Sequence, residues 1–182
     1  MKYSIPTTLL LGLTVITIAS CSKDKSDDAP TPPPSTDNTW KLNDFGFSRS
    51  VSSQNTTTYT NGNPFTQVNI DSKIATSNVN FKTCNIIFWF NTNTEGSYSI
   101  KSKNTVAGFT TVRNMNVTCI VSNAAGAGAI YESGDTNIPV TVTKVNSKFV
   151  ITATAPITVS KTLDDGLQNA PATMTLSWTK LQ

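Results

Sequence analysis

Thr173-Met174-Thr175-Leu176-Ser177-Trp178-Thr179-Lys180 alternates hydroxylated and apolar side chains without a break. An extended strand sends successive side chains to opposite faces, so Met174, Leu176 and Trp178 share one face and the hydroxyls the other. Ile138-Pro139-Val140-Thr141-Val142-Thr143 repeats the pattern with aliphatics against threonines. A slip of one residue would expose either apolar set, so each stretch specifies its own register.

Working outward, short apolar runs recur between breaks of Asn, Gly, Asp and Pro. The candidate strands are Trp40–Arg49, Ser52–Thr60, Phe65–Asp71, Asn80–Phe90, Ser97–Lys101, Thr105–Val112, Met115–Val121, Ile138–Val145, Lys148–Ala155, Pro156–Lys161 and Ala172–Lys180. Turn residues separate several of them, at Asn61-Gly62, Asn93-Thr94-Glu95-Gly96, Asn146-Ser147 and Asp164-Asp165-Gly166. Ala124-Ala125-Gly126-Ala127-Gly128-Ala129 is a small-residue run, a flexible loop being one reading that the sequence alone does not decide. About ten short strands with no helical period predict an all-β fold, an antiparallel β-sandwich or Greek-key-like barrel.

Composition agrees. The chain has 182 residues, among them 30 Thr, 19 Ser and 18 Asn, with only 14% charged residues and no histidine. Ser, Thr and Asn disfavour helix interiors, and Thr favours a pleated surface. The missing histidine removes imidazole bases, His-ligated metals and histidine-dependent triads.

The N-terminus reads as a processing segment. Lys2 precedes the apolar run Leu9–Ala19, which is too short to span a bilayer, and the run ends in Ile18-Ala19-Ser20-Cys21. That tetrad resembles the lipobox of bacterial lipoproteins. The resemblance implies residues 1–20 as signal peptide and Cys21 as the acylated first residue of the mature chain.

Residues 21–38 then form a Pro-rich tether, with Pro30, Pro32, Pro33 and Pro34 favouring polyproline II. At about 3.1 Å per residue it reaches roughly 50 Å. Its acidic Ser26-Asp27-Asp28 resembles surface-export signals of lipoproteins in Bacteroidota-type Gram-negative bacteria. This implies an outer-membrane location at the cell surface, with the periplasmic face as the other possibility. Residues 39–182 are the β domain. Gly96-Ser97-Tyr98-Ser99-Ile100 and the Ile138–Ala155 hairpin resemble the β-rich domains of uncharacterised Bacteroidota outer-membrane lipoproteins, although the Gly-Thr-Phe those often carry is absent.

Alternation puts Cys84 with Ile86, Phe88 and Phe90, and Cys119 with Met115, Val117 and Val121. Both cysteines face the core, where they form either a disulfide or two buried thiols. Trp89 lies between Phe88 and Phe90 and so faces the other way, which makes it the candidate ligand-contact residue. Trp40, Trp178, Tyr59, Tyr98 and Tyr131 are further aromatics able to stack on a sugar, though such residues commonly lie in cores.

The domain has seven carboxylates, Asp44, Asp71, Glu95, Glu132, Asp135, Asp164 and Asp165. Their spacing supplies neither a catalytic pair nor a metal site, with Glu132 and Asp135 the nearest approach to one. Basic residues are spread along the chain without a stripe, which argues against nucleic acid.

The expectation is a non-enzymatic, cofactor-free, lipid-anchored envelope protein that binds glycan or another envelope protein. The alternative is a structural or adhesive subunit of a surface or fimbrial assembly, matured by trimming after Arg49.

Overall fold

The computed structural model describes residues 36–58, 62, 64–73, 81–108 and 112–182. The signal segment, Cys21, most of the tether and Tyr59 lie outside the described residues. Twelve strands and one short helix follow in order: β1 (Thr39–Leu42), β2 (Phe45–Thr58), β3 (Pro64–Ser72), β4 (Thr83–Asn91), β5 (Gly96–Ile100), α1 (Lys103–Gly108), β6 (Asn114–Ser122), β7 (Gly128–Ser133), β8 (Pro139–Val145), β9 (Lys148–Ala153), β10 (Ile157–Asp165), β11 (Thr173–Trp178) and β12 (Lys180–Leu181). The all-β expectation is borne out. Every strand pairing is antiparallel except that of β5 with β6.

The hydrogen bonds close the sheet on itself. Taken in the order β1, β2, β3, β4, β6, β7, β10, β11, each strand pairs with the next, and β11 pairs with β1. Chain order is kept around this ring, and two excursions interrupt it. One is β5 with α1, and the other is the β8–β9 hairpin. β5 joins the ring by its parallel pairing to the start of β6, through Ser99–Asn114 and Ile100–Met115. β8, β9 and β12 continue the sheet from β5, and the β11 strand turns at Thr179 to supply β12.

The far edge of β9 then meets the long β2 through a side chain. The Gln54 amide accepts from Phe149 N (2.7 Å) and donates to Phe149 O (2.9 Å), as a strand's peptide group would. Closure leaves few open edges among the described strands, and open edges are a liability in β proteins.

The alternating strands bury the faces that their pattern requires. Met174, Leu176 and Trp178 of β11 are buried, as are Val140 and Val142 of β8. They join one core with Phe88 and Phe90 of β4, Val68 and Ile70 of β3, and Val117 and Val121 of β6. A ring of eight strands leaves an interior that side chains fill, which suits these residues.

Local chemistry corrects the strand map in four places. Trp40–Arg49 is two strands, because Asn43 adopts φ 50° and makes a tight turn that pairs Leu42 with Phe45. The second of these runs on without a break to Thr58. Thr105–Val112 is not a strand over its described residues; α1 occupies its start. There the Ser102 hydroxyl accepts from Thr105 N, and Asp135 Oδ1 accepts from Ser102 N at 2.7 Å.

The Ala-Gly run ends in β7. Asn123 Oδ1 accepts from the amides of Ala125 and Ala127, and Gly126 at φ 89° completes the turn. Asp164 and Asp165 belong to β10, not to a turn. The Asn146-Ser147 turn stands as read, with φ of 50° and 65°, the handedness a two-residue hairpin favours.

Candidate functional site

Trp89 lies on the outer face of β4, opposite its buried neighbours Phe88 and Phe90, and is half-buried. Register places it across from Gln67 of β3 and Asn116 of β6. Its ring stacks on Phe65, with centroids 5.6 Å apart, and the Lys103 ammonium lies over it at 5.1 Å from the centroid. Lys103 comes from α1, which packs over β4 and β6 and buries Val106 there. The face is as expected. The ring is occupied, however, and a sugar stacking on it would have to displace an ammonium.

The other described aromatics belong to the core. Tyr98 is buried, with its hydroxyl donating to Thr94 O at 2.6 Å and paired with Thr92 Oγ1. Tyr131 is buried and donates to Pro171 O at 2.8 Å. Burial and the nearby Asp164 push the Tyr131 phenol above its usual range. Trp178 donates its indole N–H to Ile151 O at 3.2 Å. Trp40 differs. It is 2% exposed, and its Nε1 is buried with no hydrogen-bond partner among the described residues. Such an orphaned buried donor is rare in folded proteins.

Trp40 and Trp178 stand opposite each other in the β1–β11 pairing. Both line a cleft of about 360 Å³, walled by Thr36, Thr39 and Lys41 on one side and Ala153–Pro156 on the other, with Ser177 and Thr179 between them. Among the described residues the cleft offers hydroxyls and one ammonium and has no carboxylate. Its volume lies in the range of small-ligand sites. A second cleft, of about 230 Å³, lies at the Gln54 seam and includes Asn55, Thr56, Asn93, Lys144 and Ser147. There Lys144 lies over the Phe149 ring at 4.6 Å, and Gln54 is committed to Phe149. The first cleft is the freer of the two.

The carboxylates do not converge. Asp135 holds the start of α1, and the backbone N–H of Ser102 keeps its carboxyl below the ordinary range. Asp164 pairs with Lys161 at 2.6 Å, which lowers its carboxyl likewise. No group of three or more His, Cys, Asp or Glu able to hold a metal occurs among the described residues. The domain is an all-β unit without a catalytic-looking or metal-binding cluster in that part of the chain.

Comparison with protein-family models, curated proteins and solved structures finds no match.

Arg49 lies inside β2, next to residues paired with β1 and β3, and its guanidinium donates to the Gln182 carbonyl. Trimming after it would release β1 and the first residues of β2 from a closed ring. Cys84 and Cys119 both lie buried on the inner face, as alternation requires, and no bond joins them in this structure. The hydroxyl cleft is the feature that the sequence reading missed. Its walls come from residues about 140 positions apart, and only the β1–β11 pairing brings them together.

Proposed function

We propose that this chain is a lipid-anchored, non-catalytic binding module of the bacterial cell envelope, and that its ligand is a neutral glycan held in the cleft between β1, β11 and residues 153–156. The lining of that cleft carries the reading. Hydroxyls of Ser177 and Thr179 and the Lys41 ammonium supply hydrogen-bonding groups for a polyhydroxylated ring, and the Thr39 hydroxyl, which donates to Thr36 O at 2.7 Å, keeps its acceptor sites. The Trp40 indole N–H, unpartnered among the described residues, is buried and adds no donor to the cleft surface. Among the described residues no carboxylate lines the cleft to act in hydrolysis. Trp89 takes a supporting role, because Phe65 and Lys103 already occupy its ring.

Titration of the domain with soluble neutral oligosaccharides tests the ligand. Lys41→Ala is expected to weaken binding about tenfold, the worth of one charge-assisted hydrogen bond. Trp89→Ala is expected to leave it within twofold. An array with no bound glycan, or binding lost by Trp89→Ala and kept by Lys41→Ala, would sink the assignment.

Anchoring is proposed through Cys21 in the outer membrane, with the domain displayed at the cell surface. Two or more acyl chains, at about 0.8 kcal/mol per buried CH₂, hold a protein stably where one chain does not. Cys21→Ala is therefore expected to move the protein fully from the membrane to the soluble fraction. A variant that stays acylated and membrane-bound would refute the anchor.

A further inference from the structure

Cys84 and Cys119 sit on neighbouring antiparallel strands, β4 and β6, with side chains on the same inner face. Cys84 stands opposite Val121 and Cys119 opposite Ile86, so the two are diagonal neighbours. Both are 0% exposed. Among the described residues they are the two cysteines, and the register sets them on one face of adjacent strands.

We propose that Cys84 and Cys119 are joined as a disulfide that welds β4 to β6, and that the bond is made while the chain folds. Two thiols give up two protons and two electrons. The acceptor is a disulfide of the thiol–disulfide exchange class, either a protein oxidant of an exported compartment or oxidised glutathione. One thiolate attacks it and displaces its first sulfur as a thiol, the second cysteine resolves the mixed disulfide, and the acceptor's two sulfurs end as thiols, a dithiol from a protein oxidant or two glutathiones.

The timing follows from burial. The thiolate is the attacking species, and in the folded ring hydrogen bonding to Cys84 and desolvation hold Cys119 in the thiol form. No exchange partner reaches either sulfur past the strands that cover them. The bond therefore forms before the ring closes. Afterwards burial protects it from reductants as well. Diagonal neighbours stand about 7–8 Å apart, beyond the usual disulfide span, so forming the bond requires β4 and β6 to shift toward each other.

The in vivo setting rests on the export proposed above, but the chemistry can be tested without it. The full chain is unfolded and reduced, then refolded with oxidised glutathione. It is compared with chain that was folded first and then given the same reagent. After denaturation, alkylation without reductant and peptide mapping, the refolded sample is expected to hold Cys84 and Cys119 unalkylated in one cross-linked pair, about two daltons below the dithiol. The pre-folded sample is expected to be alkylated at both positions. Cys84→Ser refolded in the same way should leave Cys119 alkylated. Full alkylation of both cysteines in the refolded sample overturns the bond. Equally fast oxidation of the folded sample overturns the timing. Protein recovered from an oxidising compartment should carry the same cross-link. Its absence there, with the refolded sample cross-linked, would count against export and not against the pair.

Discussion

Replacing Phe88 with Ala is expected to destabilise the domain by about 3–5 kcal/mol and to lower its Tm by on the order of 10 °C. Phe88 is 0% exposed at the middle of β4, directly across from Val68 of β3 and Val117 of β6. Its ring meets Trp178 edge-on at 5.3 Å, which links β4 to β11 across the interior. Truncation removes the transfer free energy of the ring and leaves a cavity at a level where four strands converge. A closed ring has little freedom to collapse into such a cavity, because each strand is held on both sides. Phe88→Leu should recover more than half of the loss. Leu163→Ala, at a residue 53% exposed on β10, should cost under about 0.5 kcal/mol. Urea unfolding of the three variants is the measurement. A cost for Phe88→Ala near that of Leu163→Ala would mean that the ring does not pack at this centre.

Phe88 also shows how much of the fold was legible in the sequence. The alternation of β4, β8 and β11 is local, and each of these strands buries the set its own pattern chose. Turns follow where a residue tolerates positive φ, as at Asn146-Ser147. The reading failed where the deciding partner was distant. Thr105 and Val106 have strand-favouring side chains, yet Ser102 and Asp135 cap a helix there, and Asp135 lies 33 positions from Ser102. The helix in turn delivers Lys103 to Trp89, so the face of Trp89 could be read locally but its occupancy could not. No strand is readable at Gly128–Ser133, because its first residues close an Ala-Gly run that carries no periodic signal. It is a strand because β6 and β10 hold it from both sides. The hydroxyl cleft failed for the same reason. Thr39 and Thr179 look like ordinary outward threonines until the chain's two ends pair.

Closure also creates a polar problem that the sequence solves at a single point. β6 pairs with β5 through Asn114 and Met115 but with β7 from Thr118 onward, so its neighbour changes between them. At that fork Val117 N has no ladder partner, and it donates instead to Ser133 Oγ at 2.9 Å. Lys101 O, just past β5, accepts from Ser133 Oγ at 3.2 Å and from Asn116 Nδ2 at 3.2 Å. Asn116 Nδ2 also lies 3.1 Å from Ser133 Oγ, and Thr118 Oγ1 donates to Asn116 Oδ1 at 3.2 Å. Asn116 is 0% exposed and Ser133 3%, so water does not stand in. One hydroxyl proton and two lone pairs are all that Ser133 has, and each is used.

Ser133→Ala is therefore expected to cost about 1–3 kcal/mol, because it leaves Val117 N–H buried and unpaired. Hydrogen exchange should show the Val117 amide losing protection ahead of its strand neighbours. Asn116→Ala should cost about the same, and the double variant less than the sum, since each member satisfies the other. Asn116→Asp separates the network from simple packing. It keeps the shape but sets a carboxylate oxygen in place of the donor, against the carbonyls of Lys101 and Ser133. At neutral pH it should be at least as damaging as Asn116→Ala, and part of the loss should return as acid protonates it. A fully additive double variant, together with an Asp variant insensitive to pH, would show that the fork is held by its strands and not by these two side chains.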